Sequence, residues 1–145
     1  MGGCHGATED TGAPASARGL DRLVVTGNPN VGKSVLFQLL TGRYATVSNY
    51  PGTTVMVSHG RSAINGKLFH VYDTPGLNSL IASSEDELVA RNQLLEHPAV
   101  VLQVADAKNL HRALVLTLEL AEAQLPAVLN LNMIEVPPGP SGHIR

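Results

Sequence analysis

The sequence predicts an α/β fold: a mostly parallel sheet with one antiparallel edge strand and helices on both faces. Three observations predict it. From Leu20 onward, short β-branched runs alternate with longer helical ones, the pattern of strands joined by crossover helices. Gly27-Asn28-Pro29-Asn30-Val31-Gly32-Lys33-Ser34 falls between the first such strand and the first helix, where a glycine-rich loop can cradle phosphate. Asp73-Thr74-Pro75-Gly76 closes a later strand, and open α/β sheets bind ligands at that carboxyl edge.

Taken in order, Leu23–Thr26 reads as the first strand and Lys33–Leu40 as a helix. Leu36, Phe37 and Leu40 share one face of it, and Gly42 supplies a C-terminal stop. Arg43 to Gly52 reads as a polar connection. Val55–Ser58 and Leu68–Tyr72 are strands flanking Asn65-Gly66, a dipeptide that tolerates the positive φ of a tight hairpin, so the two should pair antiparallel. Ser84-Glu85-Asp86-Glu87 matches a capping box, with Ser84 capping and Glu87 reaching back, and opens a helix to about His97 before Pro98. Carboxylates in a first turn are favoured by the helix dipole, so this cluster reads as a cap rather than a metal site. Val100–Ala105 is a buried strand, Leu110–Gln124 a leucine-rich helix and Ala127–Leu131 a last strand. The expected order is β-α-β-β-α-β-α-β.

At 145 residues the chain has room for one core. Residues 1–19 lack large apolar side chains and read as a flexible tail, which disposes of Cys4 and His5 as metal ligands. The folded domain should occupy 20–136, with an irregular tail over 137–145. Lys and Arg number 10 against 12 Asp and Glu, a balance without the basic footprint of nucleic-acid binding. One cysteine closes no internal disulfide, which fits a reducing cytosol. No apolar run reaches the roughly 18–20 residues of a membrane span, the N-terminus has no signal-peptide pattern, and Gly6 stands where myristoylation wants Ser or Thr.

The loop from Gly27 to Ser34 fits G-x-x-x-x-G-K-[ST]. Its glycines let successive N–H groups face one anion, and the helix N-terminus adds its dipole there. Lys33 neutralises the β- and γ-phosphates, and the Ser34 hydroxyl is a ligand for Mg²⁺, which takes hard oxygen donors. Asp73 is placed to hold Mg²⁺ through a water, and the Gly76 N–H to reach the γ-phosphate, so this turn senses whether that phosphate is present. Thr54, in the segment before the second strand, can close the magnesium shell. After the last strand, Asn132-Met133-Ile134-Glu135 lies where a base would sit. A carboxylate accepting from guanine N1 and N2, beside an Asn amide, selects guanine over adenine.

These residues resemble the GTPase domain of the FeoB (ferrous iron transport protein B) family, a P-loop NTPase with a Ras-like G-domain fold. The resemblance covers about Leu23 to Glu135. It is carried by Pro29-Asn30 within the phosphate loop, by Asn49-Tyr50-Pro51-Gly52-Thr53-Thr54-Val55, by residues Asp73–Leu80, and by the run Asp106–Leu118 followed by Asn132-Met133. It implies a cytosolic GTP switch, at the inner face of the cell membrane, joined to a permease for Fe²⁺. It also implies nucleotide contacts from residues 27–35, Val35 included, from Gly52, Thr53, Thr54, Val55 and Met56, from Asp73, Thr74, Pro75 and Gly76, and from Asn132, Met133 and Glu135. Lys33, Asn30 and Gly76 would serve hydrolysis, with Asn30 helping to hold K⁺ against the phosphates in place of an arginine finger. Glu135 stands where the family has Asp, and one extra methylene shifts the carboxylate by about 1.5 Å, a weakening of roughly 1–3 kcal/mol. Met56 replaces an acidic residue usual after the switch threonine. Val136-Pro137-Pro138-Gly139-Pro140 interrupts the place of a helix, so the family's last strand, last helix, second guanine loop and membrane portion are expected to be missing.

Leu77 follows Gly76 where many GTPases place a water-orienting Gln, so hydrolysis should be slow. An uncovered sheet edge at Ala127–Leu131 should promote self-association. An Era-like GTPase acting on RNA and a non-catalytic nucleotide-binding remnant are the alternatives.

Overall fold

The computed structural model describes residues 19–42 and 45–134. Cys4, His5, both predicted tails, Glu135 and the proline-rich run after it lie outside the described residues. The strands among the described residues are β1 (Asp21–Gly27), β2 (Thr46–Asn49), β3 (Met56–Ile64), β4 (Lys67–Asp73), β5 (Val100–Asp106) and β6 (Ala127–Asn132). The helices are α1 (Lys33–Thr41), α2 (Glu85–Leu95) and α3 (Leu110–Glu122), with a 3-10 turn at Ala107–Asn109 leading into α3.

One sheet runs in the order β2-β3-β4-β1-β5-β6. β4, β1, β5 and β6 are mutually parallel, and β3 is antiparallel to both β4 and β2. The antiparallel strand is thus one place in from the edge, because β2, read from sequence as a polar connection, pairs outside it. All four β2 residues are exposed; what makes it a strand is backbone pairing to β3, from Thr46 opposite His59 to Asn49 opposite Met56. The hairpin turn is as expected, with φ of 49° at Asn65 and 77° at Gly66.

Alternation along β1 sorts the core onto two faces. Leu23 and Val25 pack with Phe37 of α1, Phe69, Val71 and Val104. Val24 points the other way, among Ala90 and Leu94 of α2, Leu116 and Leu120 of α3, and Leu77. The central strands carry continuous apolar runs because both their faces are covered. α1 stops where Gly42, at φ 66°, turns its N–H back to the Gln38 carbonyl at 2.8 Å. Ser84 caps α2 as expected, its Oγ accepting from the Glu87 N–H at 3.2 Å. Glu87 departs from the capping box. Its carboxylate takes the N–H and hydroxyl of Ser83, at 2.9 and 2.6 Å, instead of the Ser84 N–H.

Candidate nucleotide-binding site

The parallel order of the sheet brings the C-terminal ends of β1 and β4 side by side, with Val25 opposite Asp73. The loop leaving β1 begins at Gly27, whose φ is 148° and whose missing Cβ would stand 2.1 Å from the Val104 carbonyl oxygen. No side chain fits there. Asn30 takes φ 61° and Gly32 φ 91°, both left-handed positions that curl the loop around a single point. Gly32 is the N-cap of α1 and offers no side-chain cap, and no acidic residue occupies the first turn. The first N–H groups of a nine-residue helix therefore face the cleft with their dipole uncompensated.

Lys33 is 8% exposed, and its Nζ donates to the Asn28 carbonyl at 3.1 Å. Burial pulls its pKa down, and the Asp73 carboxylate works against that by favouring the charged form. Asp73 closes β4. Its Oδ2 accepts from the Ser34 hydroxyl at 3.1 Å, while its Oδ1 is buried with no hydrogen-bond partner among the described residues. Burial raises the Asp73 pKa, against the Ser34 hydrogen bond and Lys33, which lower it. An orphaned carboxylate oxygen beside a hydroxyl is a donor set suited to a hard divalent cation, which would also offset the cost of burying the carboxylate.

The turn after Asp73 is fastened to the loop. Thr74 donates both its N–H and its hydroxyl to the Val25 carbonyl, each at 3.1 Å. The Leu77 N–H donates to the Gly27 carbonyl at 2.9 Å. A Cβ on Gly76 would lie 2.7 Å from Pro29 Cγ, so glycine is what lets the two loops touch. Between them opens a cleft of about 560 Å³ lined by Pro29, Asn30, Gly32–Val35, Asp73–Gly76, Val55 and Met56. Ser58 and Asp86 line it too, and the sequence had assigned neither to the site. Register explains Ser58, which stands opposite Asp73 on β3; Asp86 arrives because the first turn of α2 faces the cleft.

The remaining expected residues divide. Gly52, Thr53 and Thr54 do not line the cleft. Thr54 is exposed, in a tight turn closed by Tyr50 N–H to the Val55 carbonyl at 2.8 Å and by the Thr53 hydroxyl to the Tyr50 carbonyl at 2.9 Å. Asn132 does reach the phosphate loop: its Nδ2 donates to the Val31 carbonyl at 2.9 Å. The same amide fills the space a Cβ on Gly32 would need, at 2.3 Å. Asn132, expected beside the base, thereby braces the glycine loop. Met133 follows at φ 58°, exposed.

Among the described residues, a six-stranded mostly parallel sheet with a glycine loop, a buried lysine and a strand-end aspartate at one edge has the architecture of a P-loop G domain. The profile of the ferrous iron transport protein B family matches residues 21–139, and the chain belongs to that family. It is 46% identical over 101 residues to the Fe(2+) transporter FeoB of Methanocaldococcus jannaschii, covering 69% of this chain and 15% of that relative. Among solved structures, the G domain of the T. maritima FeoB iron transporter matches with a TM-score of 0.73 at 37% identity, over 78% of this chain and 72% of that one. A mutant S. thermophilus NFeoB bound to GDP matches with a TM-score of 0.72 at 40% identity, over 79% of this chain and 45% of that one. The chain thus spans about one seventh of the length of the transporter it resembles. No helix among the described residues is long and apolar enough to cross a membrane.

Proposed function

We propose that this chain is the guanine-nucleotide-binding part of a ferrous iron transport system, taking up GTP with Mg²⁺, hydrolysing it slowly and signalling to a membrane permease for Fe²⁺. The observation that carries this is the convergence of Lys33, Ser34 and Asp73 below an uncapped helix N-terminus. Lys33 Nζ donates to the Asn28 carbonyl. Phosphate oxygens would replace that carbonyl as its partner, with the N–H groups of residues 30–34 completing the cradle.

Mg²⁺ would be held by Ser34 and, through water, by Asp73, and would supply charge neutralisation between the β- and γ-phosphates. Thr54 would join only after the 50–55 turn swings toward the cleft, which fits a segment that answers to the γ-phosphate. The Gly76 N–H, held against Pro29, would donate to the γ-phosphate. Asn30 lines the cleft, where it would help hold K⁺ against the phosphates. Leu77 is fully buried in the core beneath α2 and α3 and has no polar group to orient an attacking water, which supports slow hydrolysis. Glu135 and Asn132 would read guanine. The GDP carried by the S. thermophilus relative favours the same ligand class here. The domain would work on the cytosolic side, where GTP is found.

The test is fluorescent GTP-analogue titration with and without Mg²⁺ on the wild type, Lys33→Ala and Ser34→Ala. Affinity should fall about tenfold to a hundredfold in Lys33→Ala, as loss of charge-assisted hydrogen bonds implies, and the Mg²⁺ dependence should vanish in Ser34→Ala. Unchanged affinity in both variants would refute the reading.

A further inference from the structure

Asn78 lies two residues beyond Gly76, and its side chain ties together four parts of the molecule. Asn28 of the phosphate loop donates through Nδ2 to Asn78 Oδ1 at 3.2 Å. Arg112, in the first turn of α3, donates through Nη2 to the same oxygen at 3.0 Å. Asn78 Nδ2 in turn donates to Glu87 Oε1 of α2 at 3.3 Å. An asparagine amide can be turned either way in principle, but a guanidinium can only donate and a carboxylate can only accept. Arg112 on one side and Glu87 on the other leave Asn78 a single orientation. That orientation obliges Asn28, which is 4% exposed, to present its NH₂ and not its oxygen. The Asn28 main-chain carbonyl is meanwhile the group that holds Lys33 Nζ.

The segment Gly76–Asn78 is thus docked on residues 27–29 by three contacts: Gly76 against Pro29, Leu77 N–H to Gly27 and Asn78 to Asn28. The first is Gly76 against the Pro29 ring and the second a main-chain hydrogen bond, so neither uses a polar side chain. The third depends on α3, since the Arg112 guanidinium, which can only donate, holds Asn78 Oδ1 toward Asn28 and disfavours the flipped amide.

We infer that Arg112 is a positioning residue that tunes the preference of the site for a triphosphate over a diphosphate, by fixing Asn78 and through it the direction of the Gly76 N–H. The inference rests on the nucleotide reading proposed above. A diphosphate makes no demand on Gly76, whereas a γ-phosphate does, so loosening Asn78 penalises only the latter. The exposed end of α3 thereby becomes a place from which the nucleotide state can be felt, because anything that engages Arg112 competes with Asn78 for its guanidinium.

The experiment compares the wild type with Arg112→Ala and Arg112→Lys, measuring affinity for mant-GDP and for a mant-labelled non-hydrolysable GTP analogue with Mg²⁺. Amide hydrogen exchange over residues 76–83 is followed in the same samples. Arg112 is exposed, so the variants should fold. In Arg112→Ala the ratio of triphosphate to diphosphate affinity should fall about fivefold or more, the lower end of ordinary coupling between sites, with faster exchange over 76–83 and little change in GDP affinity. Arg112→Lys, which also can only donate, should recover most of the ratio. An unchanged ratio, or an equal loss for both nucleotides, would overturn the inference while leaving nucleotide binding intact. A wild type that binds neither nucleotide would overturn the proposed function itself.

Discussion

At the scale of single residues the site stores its cost in a buried lysine, Lys33, and a half-buried carboxylate, Asp73. Burial raises the Asp73 pKa, so the folded chain holds that proton more tightly than the unfolded chain does. This group's contribution to stability is therefore complete below the ordinary carboxylate value of 3.8 and is lost as pH climbs through the raised folded value. Asp73→Asn should accordingly raise the thermal midpoint of the nucleotide-free protein at neutral pH, flatten its decline above pH 4, and abolish the Mg²⁺ dependence of GTP affinity. Melting curves across pH, read beside nucleotide titrations, check all three. Asn30 carries a second prediction. Replacing Na⁺ by K⁺ at constant ionic strength should raise phosphate release, by up to about 10³-fold if K⁺ does the work of an arginine finger. Asn30→Ala should lose that gain with GDP affinity nearly intact; equal rates in both salts would contradict it. That Lys33, Ser34, Asp73 and Gly76 meet at one cleft was legible in the sequence, because both loops leave the carboxyl ends of strands readable from local spacing. Ser58, Asp86 and the Asn28–Asn78–Arg112 chain were not, since their partners are fixed by strand register and helix packing, with Asn78 and Arg112 34 positions apart in the chain.

At the scale of elements, the strands with buried faces were readable, because β-branched runs of the right length have one stable use in a helix-covered sheet. β2 was not, since nothing in an exposed, polar four-residue segment distinguishes pairing from coil. The capping box was half readable: Ser84 behaves as the motif requires, but Glu87 is drawn to Ser83 and Asn78, which gives it a larger part in holding residues 78–83 than in starting α2. Ser84→Ala should cost about 1 kcal/mol, the usual value of an N-cap, seen as a lower denaturant midpoint with an unchanged slope. A loss below a few tenths would show that Glu87 and the acidic first turn hold the helix without it.

At the scale of the whole molecule, the sheet has one strongly apolar flank. β6 has no partner on its outer side among the described residues, and Val128, Leu129 and Leu131 are all exposed there. Unpaired edges of this kind template strand addition, so the isolated chain should self-associate as concentration rises, and Leu129→Lys should suppress this in sedimentation velocity. A monodisperse monomer at high concentration would count against it. Everything proposed for this chain nevertheless depends on whether the cleft between the phosphate loop and Asp73–Gly76 takes a guanine nucleotide. The most direct measurement is a titration of mant-GDP against mant-ADP on the wild type and Lys33→Ala. Saturable mant-GDP binding, at least tenfold tighter than mant-ADP and lost in Lys33→Ala, is the predicted result; no saturable binding, or equal affinity for both nucleotides, would contradict the account.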